Sequence, residues 1–174
     1  AGQRRDWIIC TKVGEEFEGG QSRFDFSPEV TRASVLRSLR RLATDVLDIV
    51  LVHSNGDDLR ILAELGTVES LRQLQQEGLV RAVGISTKTV AGGLAATRQC
   101  DVVMATFNAR QREEAAVLED CAQRGVGALV KKPLDSGWLC SGPGHAQAGN
   151  TQPAGSRVAS PRDALALVLA HPGV

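Results

Sequence analysis

Asp45-Val46-Leu47-Asp48-Ile49-Val50-Leu51-Val52-His53-Ser54 is the stretch that decides how this chain folds. Its run of branched apolar residues, opened by Asp48 and closed by His53-Ser54, reads as a strand buried on both faces, the kind found in parallel sheets. His53 then stands where that strand emerges. In parallel α/β architectures ligands meet the protein at the carboxyl ends of the strands, so a titratable ring at that point is a candidate for chemistry.

Working outward, the same pattern recurs. Trp7 to Lys12 is an apolar run that ends on a lysine and turns at Val13-Gly14. Residues 15–25 are charged and Gly-rich and read as a loop. Ser27-Pro28-Glu29 carries a helix start, with a capping hydroxyl, a proline suited to the first turn and an acid at the positive end of the dipole. Val35, Leu36, Leu39 and Leu42 follow at helical spacing, among Arg37, Arg40 and Arg41, which read as an exposed face. Beyond His53 comes a helix with Val68, Leu71 and Leu74 as its stripe, ended by Gly78. Leu79 to Gly84 then runs out to Ile85-Ser86-Thr87, Asp101 to Thr106 gives way to Phe107-Asn108, and Val126 to Val130 ends on Lys131-Lys132-Pro133. The helix over 88–99 is weakened by Gly92-Gly93, whereas 111–124 turns Val117, Leu118, Cys121 and Ala122 to one face. Residues 135–159, rich in Gly, Ser and Pro, read as a flexible loop or flap. Ser160-Pro161 opens a last helix with Ala164, Leu165, Val168 and Leu169 expected to face inward.

Composition narrows the function classes. Twenty Lys+Arg against twenty Asp+Glu leave no net field to recruit nucleic acid or an acidic membrane surface. Tyrosine is absent and aromatics are scarce, which argues against a base-stacking module. Cys10, Cys100, Cys121 and Cys140 show no C-x-x-C pair and no histidine at ligand spacing, so no metal site is expected, and Cys10 and Cys121 read as small buried hydrophobes. No signal peptide or membrane-length apolar stretch is visible, so a cytoplasmic location is the expectation. His145 and His171 read as solvated or capping groups.

Strict alternation of buried strands and amphipathic helices means a parallel sheet with right-handed crossovers. A dinucleotide-binding open sheet would carry G-x-G-x-x-G between strand and helix. Here the nearest match, Gly125-Val126-Gly127, precedes a strand instead. The strand ends read Lys12, His53, Ser86-Thr87, Asn108 and Lys131, a polar rim that fits a barrel mouth. A lysine and a histidine on successive strands can polarise a carbonyl and tune a neighbouring acid. Lys12 or Lys131 could alternatively form a Schiff base, as in a lyase. Gly84-Ile85-Ser86 is no nucleophile elbow, because Lys88 stands where the second glycine belongs.

Taken together, Ile9-Cys10-Thr11-Lys12-Val13-Gly14, Leu47 to His53, Gly78 to Ser86 and Lys132-Pro133-Leu134 resemble the aldo-keto reductase family, in order as well as in spacing. The resemblance implies an α/β fold of the (β/α)8 TIM-barrel type that binds NADPH, with NADH possible, and reduces a small carbonyl substrate. It further implies that Lys12 lowers the pKa of a catalytic phenol and that His53 orients the carbonyl. Ser86 and Thr87 correspond to the pair that holds the nicotinamide carboxamide, and Asn108, Lys131, Pro133 and Leu134 to further cofactor contacts. Met104 occupies the place of a carboxamide-binding Gln, and Lys131 that of a stacking tyrosine. The family's Asp and Tyr are not found in this chain. With 174 residues, against ~250 for a full barrel, the chain is expected to be one incomplete domain over 1–174 with about five parallel strands, an internal piece lacking the acid-bearing segment and the last strand. Open edges would then favour self-association. A non-catalytic barrel piece that binds a nucleotide or a protein is the alternative.

Overall fold

The computed structural model describes residues 4–139 and 160–174. Five parallel strands form one sheet in the order β1 (Cys10–Val13), β4 (Leu47–His53), β5 (Val80–Ser86), β6 (Val102–Thr106) and β7 (Gly127–Lys131). Between them run α1 (Pro28–Leu42), α2 (Asp58–Ala63), α3 (Thr67–Gln76), α4 (Val90–Ala96) and α5 (Ala115–Arg124), and α6 (Pro161–Leu169) follows. This is a partial (β/α) barrel, as the alternation predicts.

Strand register explains how one sheet serves two purposes. Side chains alternate between faces along a strand, and laterally paired residues share a face. Val13, Val52, Ile85, Val103 and Ala128 line up across the five strands. They meet Val35, Leu39, Leu71, Leu74, Val117 and Leu118 in the core under the helices. One residue earlier, the opposite face reads Lys12, Leu51, Gly84, Val102 and Gly127. Higher on that second face come His53, Ser86, Met104 and Leu129, and beside them Thr106 pairs with Lys131. The second face is therefore the concave one, and its polar residues gather at the carboxyl ends.

Ser27 starts α1 as expected: its hydroxyl accepts from Val30 N–H at 3.4 Å, while Asp25 accepts from both the Ser27 N–H and hydroxyl. Carboxylates brace the opposite, amino-terminal ends of the strands. Asp48 accepts from Ile9 N–H at 2.9 Å, Arg4 at 2.8 Å and Arg81 at 2.9 Å. Burial works against its charge, but those donors outweigh it and hold the carboxyl below its ordinary range. Asp101 is held in the same way by Arg72, Gln75 and Val83 N–H. The two glycines that weaken α4 mark close approaches: a Cβ on Gly92 would meet Asp58 Cγ at 2.6 Å, and one on Gly93 would meet Val117 Cγ1 at 2.8 Å.

Several expectations are corrected. Residues 15–25 form an antiparallel hairpin, β2 (Glu15–Glu18) with β3 (Gln21–Phe24), because Gly19 and Gly20 both take positive φ and close a tight turn. The first strand begins at Cys10, not Trp7; Trp7 and Ile8 are 66% and 77% exposed, and Cys10 is exposed too, since no described strand covers that edge. Two short helices replace the single one after His53, because Gly66 in the left-handed region breaks the run. On α6 only Ala164 and Val168 face inward, whereas Leu165 and Leu169 are exposed; Ala122 on α5 is exposed as well. The expected flap begins instead as a short helical turn at Asp135–Gly137 with Asp135 buried, and its remainder from 140, with Cys140 and His145, lies outside the described residues. His171 is half-buried at the end of α6: its N–H donates to the Val168 carbonyl at 3.1 Å, its ring packs edge-on against Phe107 at 4.9 Å and its Nδ1 accepts from Gly173 N–H at 3.1 Å. No helix among the described residues is long and apolar enough to cross a membrane.

Gly84 gives the sharpest test of the sheet. A Cβ there would lie 2.7 Å from Leu51 Cδ2 and would collide with the Val102 carbonyl. Gly84→Ala is expected to destabilise the fold by about 1–3 kcal/mol through overpacking, read as a lowered urea midpoint with unchanged slope.

Candidate functional site

The carboxyl ends of β4, β5, β6 and β7 open onto a cavity of about 580 Å³ whose lining includes His53, Ser86, Lys88, Thr106, Glu114, Lys131 and Lys132. Parallel pairing puts His53 beside Ser86 and Thr106 beside Lys131, so the backbone ladders alone bring four of these groups to one rim. Loops supply the rest. Asp58, fully buried, accepts from Thr89 N–H at 2.8 Å, from the Thr89 hydroxyl at 2.6 Å and from Lys88 N–H at 3.0 Å. That clamp fixes the turn from which Lys88 extends.

His53 sits in a crowd of charge. The hairpin lays Glu15 against its Nδ1 and sets the Phe24 ring edge-on to the imidazole at 6.4 Å. The Lys88 ammonium lies 5.8 Å from the centre of the same Phe24 ring, within cation–π range. Burial disfavours the imidazolium most strongly; Glu15 opposes that, while Lys12, Lys88 and Lys131 add to it, and the pKa falls below the ordinary histidine value. Lys12 is exposed on the neighbouring strand, with Leu51 as its lateral partner. It lies at the same rim and acts on His53 electrostatically, although the cavity lining does not include it among the described residues.

Lys131 is held from the β5 side. Its ammonium donates to Ser86 Oγ at 3.2 Å and to the Thr87 carbonyl. Burial pulls its pKa below the lysine value; Glu114 and Asp58 resist, and Lys132 and Lys88 reinforce the fall. Glu114 is 8% exposed, and its Oε2 is buried without a hydrogen-bond partner. Burial drives the Glu114 carboxyl upward, against the opposing influence of Lys131 and Thr106, with Asp58 adding a smaller push in the same direction. Thr87 is fully buried and its hydroxyl likewise has no partner.

The remaining candidates are placed differently. Asn108 is fully buried and its amide is committed to the loop: it donates to the Lys132 carbonyl at 3.0 Å and accepts from Arg110 and Gln111 N–H, each at 2.9 Å. Pro133 and Leu134 follow Lys132, which takes a positive φ, and stand outside the cavity wall while shaping the turn that carries it. Sequence reasoning missed Glu114, Glu15 and Lys88. Glu114 shows only as one of two acids before a helix, and Glu15 lay in a stretch read as a loop, so neither offered a signal that it would reach the rim. No cluster of three or more metal-binding side chains occurs among the described residues.

The arrangement can seat a small ligand between the His53 imidazole and the ammonium groups of Lys88, Lys131 and Lys132, with Ser86, Thr106 and Glu114 on the same lining. Its titration is checkable. Because the folded pKa of His53 is depressed, the unfolded chain binds more protons in the window just below the ordinary histidine pKa of ~6.5. The His53 contribution to stability is therefore present above that value and is lost as pH falls through the folded pKa. NMR titration of the His53 ring should give a midpoint below ~6.5. Lys131→Met should raise that midpoint and Glu15→Gln should lower it; the opposite signs would overturn this electrostatic assignment.

The sequence profile of the aldo/keto reductase family matches residues 1–159. A solved structure from Pseudomonas aeruginosa, described as an aldo-keto reductase candidate, superposes with a TM-score of 0.83 at 44% identity, covering 99% of this chain and 60% of that one. The holo form of an aldo-keto reductase from Bacillus halodurans gives a TM-score of 0.81 at 27% identity, covering 99% of this chain and 62% of that one. Among curated relatives, L-galactose dehydrogenase of Arabidopsis thaliana is 41% identical over 85 residues, 48% of this chain and 25% of its own length. An uncharacterised oxidoreductase of Bacillus subtilis is 29% identical over 147 residues, covering 76% of this chain and 47% of its own length. The chain thus spans between a quarter and about half of these curated relatives.

Proposed function

The chain belongs to the aldo/keto reductase family, and from that premise we propose that it is part of an oxidoreductase that reduces small aldehydes or ketones with NADPH, or with NADH. One observation carries this reading: His53, Ser86 and Lys131, from three strands of one parallel sheet, converge on a single cavity at the carboxyl ends, with Lys12 acting on His53 from the next strand.

The residues present suit a nicotinamide cofactor. Ser86 lines the cavity and would offer its hydroxyl to a bound carboxamide, while Thr87, next in the chain, is fully buried with its hydroxyl unpartnered. In this reading Ser86 and Thr87 hold the carboxamide, and Asn108, Pro133 and Leu134 act through the loop that presents Lys131 and Lys132. When bound, the cofactor supplies the hydride. His53 lines the cavity with its Nδ1 held against Glu15, and in this reading the fixed ring orients the substrate carbonyl. Lys12 adds positive charge at the rim and favours the anionic form of any acid placed beside it. The chain has no tyrosine, so none of these 174 residues supplies the phenolic proton donor that the family resemblance implies.

Two variants separate the roles in the intact protein. His53→Ala is expected to lower kcat/KM for a small aldehyde by about 10²–10⁴-fold while leaving NADPH affinity unchanged. Ser86→Ala is expected to weaken NADPH binding about fivefold, one hydrogen bond's worth, in a fluorescence titration. Absence of any NADPH- or NADH-dependent carbonyl reduction by the intact protein would sink the reading.

A further inference from the structure

We propose that Lys131 is an amine site that condenses reversibly with small aldehydes bearing an anionic group, with Glu114 supplying the proton that completes the dehydration. This goes beyond carbonyl reduction and requires neither Lys12 nor His53. Three features of the cavity point to it.

The first is how Lys131 is held. Two of its N–H groups are taken by acceptors, Ser86 Oγ and the Thr87 carbonyl. Losing the third proton leaves a lone pair in the remaining tetrahedral direction on a nitrogen whose orientation is already fixed. Burial favours that loss, with Lys132 and Lys88 adding to it and Glu114 and Asp58 opposing it. The second is Glu114, a carboxyl on the same cavity, nine-tenths buried, with Oε2 unpartnered. It is the acid a carbinolamine needs, and burial keeps it in the proton-bearing form into a higher pH range than an exposed glutamate. Among the described residues no ion pair within 4.0 Å joins Glu114 to Lys131, so the two do not neutralise each other by direct contact. The third is charge: besides Lys131 and Glu114, two lysines, Lys88 and Lys132, line the same space against one carboxylate, Glu113, and this excess attracts an anionic substituent.

The chemistry balances without an oxidant or reductant. The Lys131 lone pair adds to the carbonyl carbon, and a proton passes from nitrogen to the alkoxide oxygen to give the carbinolamine. Glu114 then protonates that hydroxyl, the carbon–oxygen bond breaks, and water leaves as the nitrogen pair forms the carbon–nitrogen double bond. The carboxylate left on Glu114 takes back the iminium proton. One water is released for each imine formed.

The test uses the intact protein, glyoxylate as the anionic aldehyde and sodium cyanoborohydride as the trap, with adducts located by peptide mass spectrometry. Lys131, half-buried and held by two acceptors, is expected to be labelled several-fold faster than Lys88 or Lys132. Acetaldehyde, which lacks the anionic group, should label Lys131 more slowly than glyoxylate does. Glu114→Gln should slow the Lys131 reaction several-fold while leaving the Lys88 and Lys132 rates alone, which also serves as a check that the variant is folded. Even labelling of all three lysines in the unaltered protein, or an unchanged Lys131 rate in Glu114→Gln, would overturn the proposal.

Discussion

Everything at the rim depends on the phase of the parallel ladders. In a sheet whose neighbours pair Val13 with Val52, Val52 with Ile85 and Ile85 with Val103, the apolar set must all face the helices. Lys12, His53, Ser86, Thr106 and Lys131 then have only the concave side available. A slip of one residue in a single strand would send its whole apolar set into the barrel interior and its polar terminus into the helix layer. Burial under the helices therefore fixes the register, and the register fixes the chemistry. The polar residues hold their positions through hydrophobic free energy invested elsewhere in the same strands.

A second constraint is electrostatic. Lys12, Lys88 and Lys131 all press on His53, and Glu15 opposes them at that ring. Glu114 and Asp58 play the opposing part for Lys131. Carboxylates from the hairpin, from the first turn of α2 and from the start of α5 are thus interleaved with lysines from β1, β7 and the loop after β5. In a chain neutral as a whole, this group of opposite charges meets at one end of the sheet, where partial burial makes each pair count for more than it would in water.

The sequence disclosed the rim more readily than its surroundings. Leu47 to His53 could be read as a buried strand because branched residues fill it on both faces, and the exit of His53 followed from where the run stops. The same logic placed Ser86 and Lys131. It failed wherever a residue's role depends on a distant partner. Glu15 sits in a charged, Gly-rich stretch whose hairpin is legible only once Gly19 and Gly20 are seen to close a turn, and its contact with His53 crosses from one element to another. Cys10 and Trp7 looked like core because an apolar run does not state how many neighbours its strand has; at an edge with no described partner they are exposed. Gly92 and Gly93 read as weak helix because propensity sees only the helix, whereas their use is to let Asp58 and Val117 approach.

The two ends of the sheet treat their carboxylates in opposite ways, and the contrast separates support from chemistry. At the amino-terminal ends Asp48 and Asp101 each have three donors, and both are held below the ordinary carboxyl range despite partial or near-complete burial. Such groups have spent their hydrogen-bonding capacity on tying strands to helices and loops. At the carboxyl ends Glu114 and Thr87 are as buried but keep a polar atom without a partner. Among the described residues a third such atom, on Thr31, belongs to α1. Desolvating a polar atom without replacing its hydrogen bond costs on the order of 1–3 kcal/mol. A fold that satisfies Asp48 and Asp101 so completely, yet buries Glu114 in the wall of a cavity with one oxygen unpartnered, braces one end of its sheet and leaves the polar chemistry of the other uncommitted.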